Sequence, residues 1–424
     1  MKQGFLLLCS AAALLTACSS NDNPGSDTGS TVAHSTPAIQ LSVSAPQASI
    51  YTRGTGTVGG LVDTDGSTII AGMENKWAGQ TINVFMVDKG TTNLSRELDM
   101  DGNATGDVLY NFTSMTTPAD NATGTAQRTD NAVKYYPPTG NFDFWAYHAD
   151  NATDPANATP REDINFPGCL VLPFSIDGSQ DLMTAKAELT KEQQETMRQQ
   201  TGKENNYYSA FAARRNVQPQ LNFHHELTRL TFTVTANSAT EADQTSGVYI
   251  TGIKVYSKDK GNLIVAYTPD TQLSSDATLA VFSEDSAALV LKAREENASA
   301  NSNLIAISDN NNNVVHPDYD AATSTSKPKS VGEALIVAPA DHYTIVVNMR
   351  QHVLTYHDPT GKTQDQYTEK AFSQKAVIRP VKGSFLKGHS YNVNIKIYGL
   401  EDIQISTTLS PWIKGEDIDV DEDK

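Results

Sequence analysis

Leu221-Asn222-Phe223-His224-His225-Glu226-Leu227-Thr228-Arg229-Leu230-Thr231-Phe232-Thr233-Val234-Thr235 is the stretch on which the fold reading turns. Leu230, Phe232 and Val234 alternate with threonines. Strict period two places the apolar set on one face of a strand and the threonines on the other. His225-Glu226-Leu227-Thr228-Arg229 begins like a zinc-protease helix, but Arg229 stands where the second histidine would be. The segment reads as strand entry, so no metal site is expected. His224 and His225 read as structural polar residues.

Downstream, Val248 to Ile250 with Ile253 to Tyr256, Leu335 to Pro339 and Tyr343 to Met349 read as strands. Tyr391, Val393, Ile395 and Ile397 alternate cleanly, as do Ile403, Ile405 and Leu409 ahead of Trp412. Upstream, Ile82 to Val87, Val108 to Phe112, Phe142 to Tyr147 and Leu170 to Ile176 join them. Aromatics at successive positions in Phe142-Asp143-Phe144-Trp145-Ala146-Tyr147 call for cover on both faces, as in a sandwich. Asp181 to Lys186 is expected to open the one helical stretch, which continues from Ala187 to Gln200 in good helix formers. Its thin apolar face predicts a surface element, not a core one. Short strands separated by Asn, Asp, Gly and Ser turns spell an antiparallel sandwich. A chain of 424 residues exceeds one ordinary core, so two domains are expected.

The formal net charge is −17. That argues against nucleic acid, whose binding rests on phosphate neutralisation by Lys and Arg, and equally against adsorption to anionic lipid heads. Of the three cysteines, Cys9 and Cys18 belong to the N-terminus, which leaves Cys169 alone, so no disulfide framework is possible in the mature chain. Its apolar neighbours make Cys169 a buried small hydrophobe. Met1-Lys2-Gln3 is a positive n-region and Phe5 to Leu15 an apolar h-region too short to span a bilayer. Leu15-Thr16-Ala17-Cys18 is similar to a bacterial lipobox, in which the cysteine is acylated and becomes the new N-terminus. Acyl chains at Cys18 would anchor the chain without a spanning helix. Ser19 to Thr36 reads as a polar tether. Ile39, Leu41, Val43 and Ala45 then alternate with polar residues as a half-buried strand, stopped by Pro46. Arg53 stands alone in the Gly/Thr loop that follows. From pattern alone it is a solvated surface charge.

Five segments, in this order, resemble the fimbrillin family of Bacteroidia, the subunits of type V pili. They are the lipobox with its strand and Arg loop, the aromatic run Tyr136 to Tyr147, Asp181 to Ala185, Leu221 to Phe232, and the close from Gly388 to Trp412. The resemblance implies an all-β chain of two tandem transthyretin-like antiparallel β-sandwich domains with few short helices. It implies residues 1–17 as signal peptide, 18–53 as lipidated tether and removable strand, and sandwiches over 54–217 and 218–424. It also implies export as an outer-membrane lipoprotein, cleavage between Arg53 and Gly54 by an arginine-specific surface protease, and assembly with other fimbrillin subunits on the cell surface. The strand carrying Ile39, Leu41, Val43 and Ala45 would be removed, and a strand from a neighbouring subunit would take its place. Ile403, Ile405, Leu409, Trp412, Ile418 and Val420 are candidate plugs of such a donor strand. They are equally the last strands of the second domain.

No cofactor is expected and no catalytic constellation is present, so the chain reads as non-enzymatic. Gly361-Lys362-Thr363 lacks the upstream glycine of a phosphate loop, since Tyr356 occupies that position. Asp417, Asp419 and Asp421 lack the turn glycine of a calcium loop. A second function class, a surface glycan-binding lipoprotein of sandwich domains, shares the lipobox and the composition. It requires an exposed aromatic platform and no removable strand.

Overall fold

The computed structural model describes residues 36–45, 77–90, 94, 109–121, 123–150, 152, 160–201, 207–268, 271, 273, 278–293, 305–307, 314–357, 359–360, 364–399 and 403–410. The alternation at Leu230, Phe232 and Val234 is realised as strand Thr228–Ala236, with those three side chains fully buried and Thr231, Thr233 and Thr235 on the partly open face. Its neighbours are Lys329–Val337 on one side and Ser390–Ile397 on the other, and Ile403–Ser410 closes that four-stranded sheet. A second four-stranded sheet runs Ser286–Val290, Val248–Lys258, Tyr343–Tyr356, Gln366–Ile378. Leu230, Phe232, Val393 and Ile395 of the first sheet share one apolar core with Ile253, Val255, Ile345 and Val347 of the second. This is a sandwich made by period-two side chains from both inner faces.

Upstream, eight strands form one sheet in the order Gln220–Asn222, Leu41–Ser44, Thr123–Arg128, Leu109–Thr116, Thr81–Asp88, Phe142–His148, Met183–Lys186, His224–His225. The sheet curls, so that Leu221 bridges to Ala187 next to the far end of the order. The enclosed core holds Leu41, Val43, Ile82, Val84, Phe144, Met183 and Leu221. Phe85, Val87, Trp145 and Tyr147 point the other way, onto Leu170, Leu172, Leu263 and Val265. Both faces of Phe142–His148 are therefore covered, and every side chain in it is buried.

The cover on that outer face is a third four-stranded sheet, Ala280–Phe282, Lys260–Tyr267, Phe166–Ser175, Arg161–Asp163. Lys260–Tyr267 follows Val248–Lys258 after a single residue, Asp259, whose carbonyl accepts from the Ile176 N–H at 2.7 Å. One run of chain therefore leaves the downstream sandwich and completes the upstream one. Gly332 interrupts Lys329–Val337 with φ 62°, where pairing to Thr228–Ala236 shifts register between Thr231 and Thr233. A Cβ there would meet the Lys292 carbonyl and Leu291 at 2.8 Å, so glycine is required.

The all-β expectation holds, with three departures in detail. Met183–Lys186 is a strand paired to Phe142–His148, not the opening of a helix. Its side chains fill the curled sheet, and burial there outweighs local propensity. The helix starts only at Lys191, after Thr190 and Gln193 exchange backbone-to-side-chain bonds of 3.1 and 3.2 Å in a capping box. That helix is mostly exposed, yet Met197 is fully buried in the enclosed core and pins it there. Finally, the ladders are not all antiparallel. Leu41–Ser44 runs parallel to Gln220–Asn222, and Thr228–Ala236 parallel to Ser390–Ile397. Long stretches of chain separate both pairs, as parallel neighbours require.

Candidate functional site

The site of interest is the seat of the first strand, Leu41–Ser44. Leu41, Val43 and Ala45 face the enclosed core, while Gln40 and Ser42 face out. On one side the strand pairs antiparallel with Thr123–Arg128, Leu41 opposite Ala126 and Val43 opposite Gly124. On the other it pairs parallel with Gln220–Asn222, Val43 opposite Leu221. Ile39, half-buried, is held by its N–H to the Lys134 carbonyl at 2.8 Å, and the Tyr136 N–H donates to Pro37 at 3.1 Å. Gln218 Nε2 donates to the Ala38 carbonyl at 3.1 Å and Ser44 Oγ to Asn222 Oδ1 at 2.7 Å.

Two consequences follow from this seating. Among the described residues the first strand is the one ladder between Thr123–Arg128 and Gln220–Asn222, while Leu221 also bridges singly to Ala187. Taking it out leaves two unpaired edges with a gap two strand spacings wide, about 10 Å. It also uncovers the apolar surface under Leu41 and Val43, which at about 1.5–3 kcal/mol per buried side chain is a large fraction of a domain's stability. Such a groove, lined by unpaired N–H and C=O groups, is a template for another extended segment.

The quoted stretch lies where the two sandwiches join. His225 Nδ1 meets the Asp181 carboxylate, both side chains being buried. Glu226 accepts from Thr184 Oγ1 at 2.7 Å, from the Leu279 N–H at 3.0 Å and from Lys387 Nζ at 3.2 Å. Arg229 is fully buried, and burial pulls its guanidinium down to about 9 against the opposing fields of Glu333 and Asp181. Glu226 thus ties upstream Thr184 to downstream Lys387, and Leu227 and Ile336 complete the apolar part of the same junction. Among the described residues no cluster of His, Cys, Asp or Glu could hold a metal ion. Cys169 is buried, and that burial raises its thiol pKa.

Of the residues singled out from sequence, the structure brings Leu41, Val43 and Ala45 together inside one sheet, with Ile39 packed beside them. Ile403, Ile405 and Leu409 lie in the edge strand Ile403–Ser410, opposite Ile397, Ile395 and Tyr391. Cys18, Arg53, Gly54, Trp412, Ile418 and Val420 lie outside the described residues. Sequence reasoning missed the partners of the first strand, Thr123–Arg128 and Gln220–Asn222. Thr123-Gly124-Thr125-Ala126-Gln127-Arg128 has one apolar residue, Ala126, and so carries almost no periodic signal.

The fimbrillin-like family model matches residues 71–412. Among solved structures the chain is similar to a proposed cell adhesion protein from Bacteroides uniformis, at 15% identity and a TM-score of 0.40, over 89% of this chain and 98% of that one. A second, from Parabacteroides distasonis, gives 12% identity and a TM-score of 0.39 over 89% and 98%. The fimbrial anchor protein Mfa2 from Porphyromonas gingivalis gives 10% identity and a TM-score of 0.28 over 88% and 98%. No curated protein matches the chain. With the family model spanning most of its 424 residues, the chain belongs to the fimbrillin-like family.

Proposed function

We propose that this chain is a fimbrial subunit matured by removal of its own first strand and joined to its neighbours by a strand that replaces it. The observation that carries the reading is the seating of Leu41–Ser44 between Thr123–Arg128 and Gln220–Asn222, with residues 46–76 following it in sequence. Arg53 is the single arginine in that segment. Lipidation at Cys18 and passage through the outer membrane belong to the same proposal, as does display on the cell surface.

The fold favours selective cutting. A protease needs an extended, accessible segment. Among the described residues, Arg128, Arg161, Arg229 and Arg350 lie in paired strands and Arg198 in the helix Lys191–Thr201. Arg214 and Arg215 sit in a turn closed by backbone bonds to Ala210 and Ala212. Arg379 is followed by Pro380, whose fixed φ and missing N–H suit an extended binding mode poorly. Arg96 and Arg294 lie outside the described residues. Digestion with an arginine-specific protease and sequencing of the product tests this. A stable product beginning at Gly54 is expected, and one beginning elsewhere refutes the cleavage site.

One observation favours the glycan-binding alternative. Leu354, Tyr356 and Tyr367 are exposed near the end of the hairpin formed by Tyr343–Tyr356 and Gln366–Ile378, Leu354 directly opposite Tyr367. Aromatic faces in such a row can stack on sugar rings. Polysaccharide binding lost in Tyr356→Ala plus Tyr367→Ala, in a chain that stays monomeric after proteolysis, would support this reading over assembly.

A further inference from the structure

Gln366–Ile378 is an edge strand. It pairs with Tyr343–Tyr356 on one side, and among the described residues no strand lies on the other. It runs for 13 residues without a proline. Its burial alternates: Ala371, Ser373, Lys375 and Val377 are exposed, while Phe372, Gln374 and Ala376 between them are half-buried. Phe372 and Ala376 pack against the core of the downstream sandwich. By the same period of two, Tyr367 and Glu369 belong to the outer face with Lys375 and Val377. The free edge of a long strand carries a row of N–H and C=O groups that can pair with a further strand.

We infer that this edge docks the same edge of a second copy of the chain, antiparallel about a two-fold axis through Phe372 and normal to the sheet, so that two four-stranded sheets run on as one. The strand is its own complement. Phe372 is its middle residue, so this register pairs all 13 residues, with Gln366 opposite Ile378. Outer residues meet outer residues. Tyr367, 40% exposed, comes to lie opposite Val377, 56% exposed, and Glu369 opposite Lys375, each pair occurring twice. Aromatic–β-branched pairs and opposite charges are the favourable cross-strand neighbours. The adjacent registers lose both matches. A two-fold at Ala371 sets Tyr367 against Lys375, and one at Ser373 sets Glu369 against Val377. Glu369 is held ready on the outer face, since Tyr249 Oη donates to it at 2.5 Å and Arg350 Nη1 at 2.8 Å. Those bonds keep its carboxyl below the usual range, so it meets the second copy charged. Lys375 lies opposite Val346 in its own sheet. A lysine commonly guards a sheet edge against strangers, and in this register it finds an acid. The contact joins chains side by side and leaves the seat of Leu41–Ser44 untouched, so it does not depend on strand replacement.

The test is sedimentation of the uncut full chain, whose first strand stays in place. A concentration-dependent dimer is expected at up to about 100 μM, the range of a small interface. A monomer throughout overturns the inference and leaves strand replacement standing. Lys375→Glu and Glu369→Lys each set like charges opposite one another, and each is expected to weaken the dimer at least about tenfold, with a thermal melt showing that the chain stays folded. Val377→Asp, at an exposed position away from the Tyr249 and Arg350 bonds, is expected to weaken it likewise. Mixing equal amounts of Lys375→Glu and Glu369→Lys restores opposite charges at both pairs, and a heterodimer of parent strength is expected. A dimer indifferent to Lys375→Glu and Val377→Asp, or two folded charge variants that fail to associate on mixing, overturns the inference.

Discussion

Leu41→Ala is the substitution whose cost is most directly set by the seating of the first strand. Leu41 is 2% exposed, faces the enclosed core and lies opposite Ala126. The change removes three carbons, which at about 0.8 kcal/mol each is about 2.4 kcal/mol of lost burial. A sealed cavity would add to this at about 24 cal/mol per Å³. Here the vacated space opens into a cleft of about 350 Å³ lined by Ile39, Leu41, Met115 and Ala126, water can enter, and the cavity contribution stays small. The expected loss is therefore about 2–3 kcal/mol, or about a 30- to 140-fold fall in the folding equilibrium. Urea unfolding of the uncut chain reads it as a midpoint shift of about 1 M with the slope unchanged. Ser42→Ala, on the exposed side of the same strand, loses only the 3.2 Å bond from its hydroxyl to the Pro219 carbonyl and should cost about 1 kcal/mol. Equal midpoints for Leu41→Ala and the parent would refute the claim that this strand is part of the folded sheet.

Arg53→Ala should leave the uncut chain intact under an arginine-specific protease, measured by intact mass over time, while cuts elsewhere at the same rate would count against the protection argument. Gly332→Ala should cost about 1–3 kcal/mol, because a non-glycine residue would be held at positive φ against the Lys292 carbonyl; a thermal melt checks it. Asp181→Ala should destabilise the chain by about 1–3 kcal/mol, since it takes a hydrogen-bond partner from buried His225. Cys169 should resist a thiol reagent in the folded chain and react on unfolding, because its buried thiol sits above the usual range.

The fold was legible wherever one face is wet. Leu230, Phe232 and Val234, and Tyr391, Val393, Ile395 and Ile397, alternate because their other side meets solvent or half-open neighbours. Met183–Lys186 was not legible, because four residues with a buried pattern and helix-friendly composition on their C-terminal side carry no period of their own. The strand carrying Leu41 and Val43 could be read as a strand, but its neighbours could not. Register and partner choice depend on the small residues Gly124 and Ala126, whose value lies in the room they leave. The cleft beside Ala126 is invisible in sequence for the same reason. The junction residues were visible as an unusual polar run, and only the fold shows that Asp181, Glu226 and Arg229 meet where the two sandwiches join.

Hydrogen exchange at Thr123–Ala126 and Gln220–Asn222, the two strands that flank Leu41–Ser44, tests the central claim most directly. It should be followed in the uncut chain, in the chain cut after Arg53, and in the cut chain supplied with a second copy. The account predicts protection, then loss of protection in both segments as the strand leaves, then its return on assembly. Protection that is unchanged by cutting would contradict it.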